Sequence, residues 1–171
     1  MTSERFHTVV VKVENKAGVL ARLAGLFARR GFNIESLAVA PTDDERFSRI
    51  TFTVDVASAP LEQVVAQLDK LVNVVDIREL DATTSVEREL MLVIVDVAAE
   101  RRGELLDLVR IFEAKVLSVG PDQMMVSLSG RPDRIDDFEA LLEPFGIVEI
   151  QRTGRVALRR IDSAGSDVVT P

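Results

Sequence analysis

The chain has 171 residues, 47% of them hydrophobic and 29% charged, with a formal net charge of −7 at pH 7, enough apolar material for one large or two small domains. That acidic balance, with 8 Phe and neither Trp nor Tyr, supplies neither the surplus cations nor the stacking rings that nucleic acid demands, and the absence of cysteine removes disulfides, thiolate metal sites and cysteine nucleophiles. No apolar run approaches the roughly 20 residues of a membrane span and the first residues lack the apolar core of a signal peptide, so the expected location is the cytoplasm, with no membrane partner.

In chain order, the single histidine, His7, has no histidine partner and reads as an ordinary strand-edge or surface residue. Val9 to Glu14 reads as a strand ending at a turn. Asn15 is then placed to cap the coming helix, its side chain accepting from free N–H groups. Gly18, without a Cβ, leaves the backbone of the first turn approachable. Val19, Leu20, Leu23, Leu26 and Phe27 fall three and four apart, one apolar stripe of a helix that Gly31 closes in a left-handed conformation. Gly25 inside that helix is unfavourable by roughly 1 kcal/mol against Ala, which suggests a close neighbour. Asn33 opens the next strand, to Ala40.

A helix start carries unpaired N–H groups and the positive end of the helix dipole, which favour a carboxylate. Asn15 and Asn33 add amides that donate and accept, as a free amino acid with its ammonium and carboxylate requires. The same residues also serve as a capped helix with a glycine turn, the commoner use of such residues, and the pattern alone leaves both readings open.

Pro41 to Glu45 (PTDDE) is a turn whose acids read as solvated, because the spaced ligands of a calcium loop are missing. Arg46 to Val56 alternates as a strand with one wet face. Pro60 opens a helix through Leu61, Val64, Val65, Leu68 and Leu71, and Val72 to Glu79 closes the unit as a fourth strand. Strand, helix, strand, strand, helix, strand is an α+β sandwich with both helices on one face; its edge strand, bearing Leu37 and Val39, invites dimerisation by sheet extension.

Leu80 to Val86 is small and polar and reads as a linker. The same order then repeats: a strand at Glu89 to Ala98, a helix from about Arg102 to Phe112, strands at Lys115 to Val119 and Met124 to Ser129, a helix from Asp133 to about Leu142, and a last strand at Val148 to Gln151. Arg152, Arg155, Arg159 and Arg160 read as a solvated or subunit-facing strip. The expected division is residues 6–80, a linker 81–88, residues 89–160 and a disordered tail 161–171.

The run ENKAGVLARLAGLFARRGFNIESLAVAPTDD, followed by FSRITF and later by VERELMLV and GRVAL, resembles the small, regulatory subunit of acetolactate synthase (acetohydroxyacid synthase). The resemblance implies two ferredoxin-like βαββαβ domains, the N-terminal one an ACT domain that binds valine or another branched-chain amino acid as feedback inhibitor. It implies an effector site at Asn15, Ala17, Gly18, Val19, Leu20, Asn33 and Ile34, lying between the helix start of one chain and the second strand of its partner in a homodimer. It implies no catalytic or metal-binding residue and no cofactor in this chain, with thiamine diphosphate, magnesium and FAD on the large catalytic subunit. One departure is Glu113, where the family pattern places a basic residue; the Glu100 to Arg102 turn is also less typical. A stand-alone amino-acid sensor of the ACT type, acting on another partner, is the alternative. A phosphatase-like site would want an arginine in the first turn, and ENKAG has only Lys16.

Overall fold

The computed structural model describes residues 6–55, 60–81 and 83–161. Val56, Ala82 and residues 162–171, on which parts of the expected strand, linker and tail fall, lie outside the described residues. The chain divides into two compact units at Val86/Glu87, and the described segment 155–161 returns to the first.

The first unit is built from β1 (Phe6–Glu14), α1 (Val19–Arg30), β2 (Ile34–Pro41), β3 (Phe47–Asp55), α2 (Leu61–Leu68) and β4 (Val74–Leu80). Its antiparallel sheet has the order β2-β3-β1-β4, the ferredoxin-like arrangement, with β2 and β4 at the edges. Alternation decides which face is dry: Val9, Val11 and Val13 of β1 and Ile50, Phe52 and Val54 of β3 meet Leu23, Leu26 and Phe27 of α1 and Val64 and Leu68 of α2. Each such buried side chain is worth about 1.5–3 kcal/mol relative to exposure, and Phe27 meets Phe52 edge-on with centroids 5.0 Å apart. At the end of α1 Gly31 turns left-handed (φ 69) and the Phe32 N–H donates to Phe27 O at 3.0 Å, the closure its glycine implied.

Three expectations need correction here. The second face of β3 is not wet: Thr51, Thr53 and Asp55 are buried, and Ser36 Oγ donates to Thr53 Oγ1 at 3.0 Å. Part of the cover is a strand absent from the sequence reading, β9 (Val156–Arg159), whose Ala157 packs on Val10 and Leu80. Gly25 has no close neighbour; a Cβ there would meet only the flexible end of Arg29 on the same helix, at 3.3 Å. The stretch after Leu80 is a folded turn, with Asp81 Oδ1 accepting from the Thr83 N–H at 2.6 Å before β5 (Ser85–Asp96) begins. β5 opens in the first unit, and β9 pairs with it.

The second unit continues from β5 into α3 (Arg102–Ile111), β6 (Lys115–Val119), β7 (Gln123–Gly130), α4 (Pro132–Leu142) and β8 (Ile147–Arg152), with sheet order β6-β7-β5-β8. Met91, Val93 and Val95 of β5 and Met124, Val126 and Leu128 of β7 pack on Leu105 and Val109 of α3 and Ile135, Phe138 and Leu142 of α4. The protein is thus α+β, with two ferredoxin-like βαββαβ units. Arg152 leaves the expected solvated strip: it donates to the buried Glu89 at 2.6 Å, to Asp136 at 2.8 Å and to Glu139 at 3.0 Å, tying β5, β8 and α4 together. Glu113 ends α3 in the left-handed region (φ 50) and lies 3.7 Å from Arg134. No helix among the described residues is long and apolar enough to cross a membrane.

Candidate functional site

The joint between β1 and α1 is held by backbone bonds. The Asn15 N–H donates to Arg46 O at 2.7 Å, the Lys16 N–H to Glu14 O at 2.9 Å, and the Val19 N–H to Lys16 O at 3.3 Å. Gly18, not Asn15, is the residue before the helix; it takes φ 84, left-handed, and α1 begins with no side-chain cap and no acid in its first turn. Asn15 therefore does not cap. Its Nδ2 donates instead to Glu45 O at 2.9 Å, fastening the joint to the β2–β3 hairpin, because the left-handed glycine puts the cap position three residues past the asparagine.

The N–H groups of Leu20 and Ala21 have no partner among the described residues. Nothing lies within 4 Å of where a Gly18 Cβ would stand. Asn15, Lys16, Ala17 and Gly18 are all exposed. The nearby carboxylate is occupied: Glu14 accepts from Asn73 Nδ2 at 2.5 Å and from Lys16 Nζ at 3.0 Å, and Asn73 Oδ1 accepts from Arg22 at 3.1 Å. The Asn73 amide first, and Lys16 after it, hold the Glu14 carboxyl below its ordinary range. With the helix dipole, Lys16 and Arg22, this joint favours an anion.

The expected site residues fall into two groups within one chain. Asn15, Ala17, Gly18, Val19 and Leu20 share the start of α1, where Val19 is committed to the core and Leu20 is 41% exposed. Asn33 and Ile34 stand beyond the far end of the same helix. Asn33 is exposed and its side chain makes no hydrogen bond among the described residues, while Ile34 is half-buried against the core and pairs with Val54. At about 1.5 Å per residue the 12-residue α1 keeps the groups roughly 18 Å apart along its axis, too far for one small amino acid to touch both.

The acidic turn reads as solvated in the sequence, and the structure corrects this for Asp44. Its carboxylate accepts from the Arg46 N–H at 3.1 Å and from the Arg46 guanidinium at 2.6 Å, and the hydrogen bonds of that guanidinium hold it down to about 2. No spacing rule for cation sites would have found this; an Asp two residues before an Arg in a tight turn is the only sequence signal. His7 lies within β1, 2.6 Å from Glu79 Oε1. Among the described residues no three His, Asp or Glu side chains gather as a metal group.

A model described as the AHAS small subunit-like ACT domain matches residues 9–76, so the first unit is an ACT domain. A second, described as the small subunit of acetolactate synthase, matches residues 88–161. The chain is 45% identical over 154 residues to the acetolactate synthase small subunit of Mycolicibacterium smegmatis, covering 90% of this chain and 91% of that one. It is 46% identical over 154 residues to the probable acetolactate synthase small subunit of Archaeoglobus fulgidus, covering 90% and 96%. The crystal structure of the acetolactate synthase small subunit from Thermotoga maritima superposes with a TM-score of 0.84 at 36% identity, over 93% of this chain and 99% of that one. The chain belongs to the acetolactate synthase small subunit family.

Proposed function

We propose that this chain is a non-catalytic regulatory subunit: it docks on the large catalytic subunit of acetolactate synthase in the cytoplasm, raises its activity and makes it sensitive to valine or another branched-chain amino acid. Thiamine diphosphate, magnesium and FAD belong, in this reading, to the large subunit. Residues 6–80 form the effector-binding domain and residues 89–160 the C-terminal domain.

The observation that carries the reading is the open, uncapped start of α1, free of first-turn acids, set a helix length from an equally exposed Asn33. The effector carboxylate meets the N–H groups of Leu20 and Ala21, and its aliphatic side chain lies against Leu20. Because Asn33 of the same chain is out of reach, the second amide comes from a partner copy in a two-fold dimer joined at the β2 edge. Valine bridging two chains favours one arrangement of the dimer over others, which is the differential affinity that regulation needs.

The test is reconstitution with the catalytic subunit, measuring acetolactate formation with and without this chain, then with valine, leucine or isoleucine. The reading expects activation by the chain and inhibition by at least one of the three. A chain that binds valine but leaves the catalytic subunit unaltered is a stand-alone sensor. Saturation at about 100 times the dissociation constant raises stability by roughly 2.7 kcal/mol; identical melting curves with all three amino acids count against any effector site.

A further inference from the structure

The β2–β3 hairpin is more heavily fastened than a surface turn requires. Thr42 Oγ1 donates to Asp44 O at 2.8 Å and accepts from the Asp44 N–H at 3.2 Å. The Phe47 N–H closes on Asp44 O at 2.9 Å. The Asp44 carboxylate then takes the Arg46 N–H at 3.1 Å, Nε at 3.0 Å and Nη2 at 2.6 Å. Two consecutive carbonyls leave this hairpin for the joint of β1 and α1: Arg46 O receives the Asn15 N–H at 2.7 Å, and Glu45 O receives Asn15 Nδ2 at 2.9 Å.

We propose that Asp44 is a positioning residue for the effector site: by fixing the Arg46 backbone and guanidinium it aims the Glu45 and Arg46 carbonyls, which hold Asn15 in the orientation that receives the amino acid. This deepens the effector reading and rests on it. An ion pair whose arginine is 81% exposed contributes little to stability. Its effect is therefore on where Asn15 points, not on whether the chain folds. With Nδ2 engaged by Glu45 O, Asn15 keeps Oδ1 for the ligand, an acceptor suited to the effector ammonium while the helix start takes the carboxylate. Asp43, its neighbour, is exposed and makes no hydrogen bond among the described residues, which makes it the matched control.

The experiment compares the full-length wild type with Asp44→Ala, Asp44→Asn, Asp43→Ala and Asn15→Ala, by calorimetry against valine, leucine and isoleucine and by the side-chain amide resonances of 15N-labelled Asn15 without ligand. Asp44→Ala is expected to weaken amino-acid binding about two- to tenfold, the range of one hydrogen bond, to shift and broaden the Asn15 amide signals, and to leave the melting temperature nearly unchanged. Asp44→Asn, which keeps an acceptor for the Arg46 N–H, retains most of the affinity, and Asp43→Ala behaves as wild type. Asn15→Ala, which removes the amide itself, loses binding and identifies the Asn15 signals by their disappearance. Wild-type affinity in Asp44→Ala, or Asn15 amide signals unchanged by it, would overturn the proposal. If the wild type binds none of the three amino acids the effector reading fails, and the Asn15 signals decide separately whether Asp44 holds that side chain.

Discussion

The two units pass from first strand to first helix by opposite means. In the first, a left-handed Gly18 and small, exposed neighbours leave the start of α1 open, with no acid in its first turn. In the second, the turn Ala99–Arg101 brings Glu100 and Arg101 ahead of α3, and Glu104 occupies its first turn. Arg101 donates to Glu104 at 3.2 Å and to Pro144 O at 3.1 Å and lies 4.3 Å from the Phe145 ring, while Arg102 donates to Gly120 O at 2.8 Å and also to Pro121 O. One topology thus leaves an open helix start in the first unit and a joint crossed by long arginines in the second. The opening is made by what the sequence leaves out.

If the second unit is held by its own ion pairs while the first keeps a joint open, each can be broken without the other. The largest effect is expected from Arg152→Ala, which strands the buried Glu89 and should cost about 3 kcal/mol of stability in urea unfolding while valine affinity stays as in the wild type. Next is Gly18→Asp, which forces a side chain into φ 84 and sets a carboxylate at the helix start proposed to receive the effector carboxylate. Valine inhibition should need more than about a hundredfold higher concentration. Gly103→Asp, in the first turn of α3 with open space around it, should leave inhibition unchanged. Equal loss in both variants would mean that the two joints do not differ in role.

Smaller effects sharpen the contrast within the first unit. Gly25→Ala should stabilise the chain by up to about 1 kcal/mol, because helix propensity is gained and only the end of Arg29 must move; a lower melting temperature would reveal a neighbour that the single chain does not contain. The pH effect is smaller still. Asp44 is held down to about 2, below its ordinary 3.8, so its contribution is present above the ordinary value and is lost as pH falls toward 2. A carboxyl 13C titration of Asp44 should show a midpoint near the lower value, and a midpoint near 3.8 would mean that the Arg46 contacts do not persist in solution.

Much of this was legible in the sequence, and the misses have physical causes. The period of Val19, Leu23, Leu26 and Phe27 and the stop at Gly31 locate α1, and the strands of the second unit lie within a residue or two of their expected ends, except β5, which starts four residues early. Asn15 reads as a cap because caps are inferred from residue type, whereas the left-handed turn at Gly18 depends on the whole β1–α1 path. Thr51 and Thr53 read as a wet face because alternation reports polarity, not coverage; the strand Val156–Arg159 that supplies part of the cover is four residues long and pairs far away in the chain. Asp44 looks solvated because nothing in a run of acids tells which one its neighbouring arginine will clamp.

The central claim is that Asn15 of one chain and Asn33 of its partner form one receptor, and mixing the two single variants tests it. Asn15→Ala and Asn33→Ala should each lose valine binding alone. In a two-fold dimer carrying one chain of each, one receptor is doubly broken and the other keeps both asparagines, so an equilibrated equal mixture should regain on the order of a quarter of the wild-type sites by statistical pairing. No recovery in calorimetry, with subunit exchange verified, would place both amides in the same protomer's structure and contradict the shared receptor.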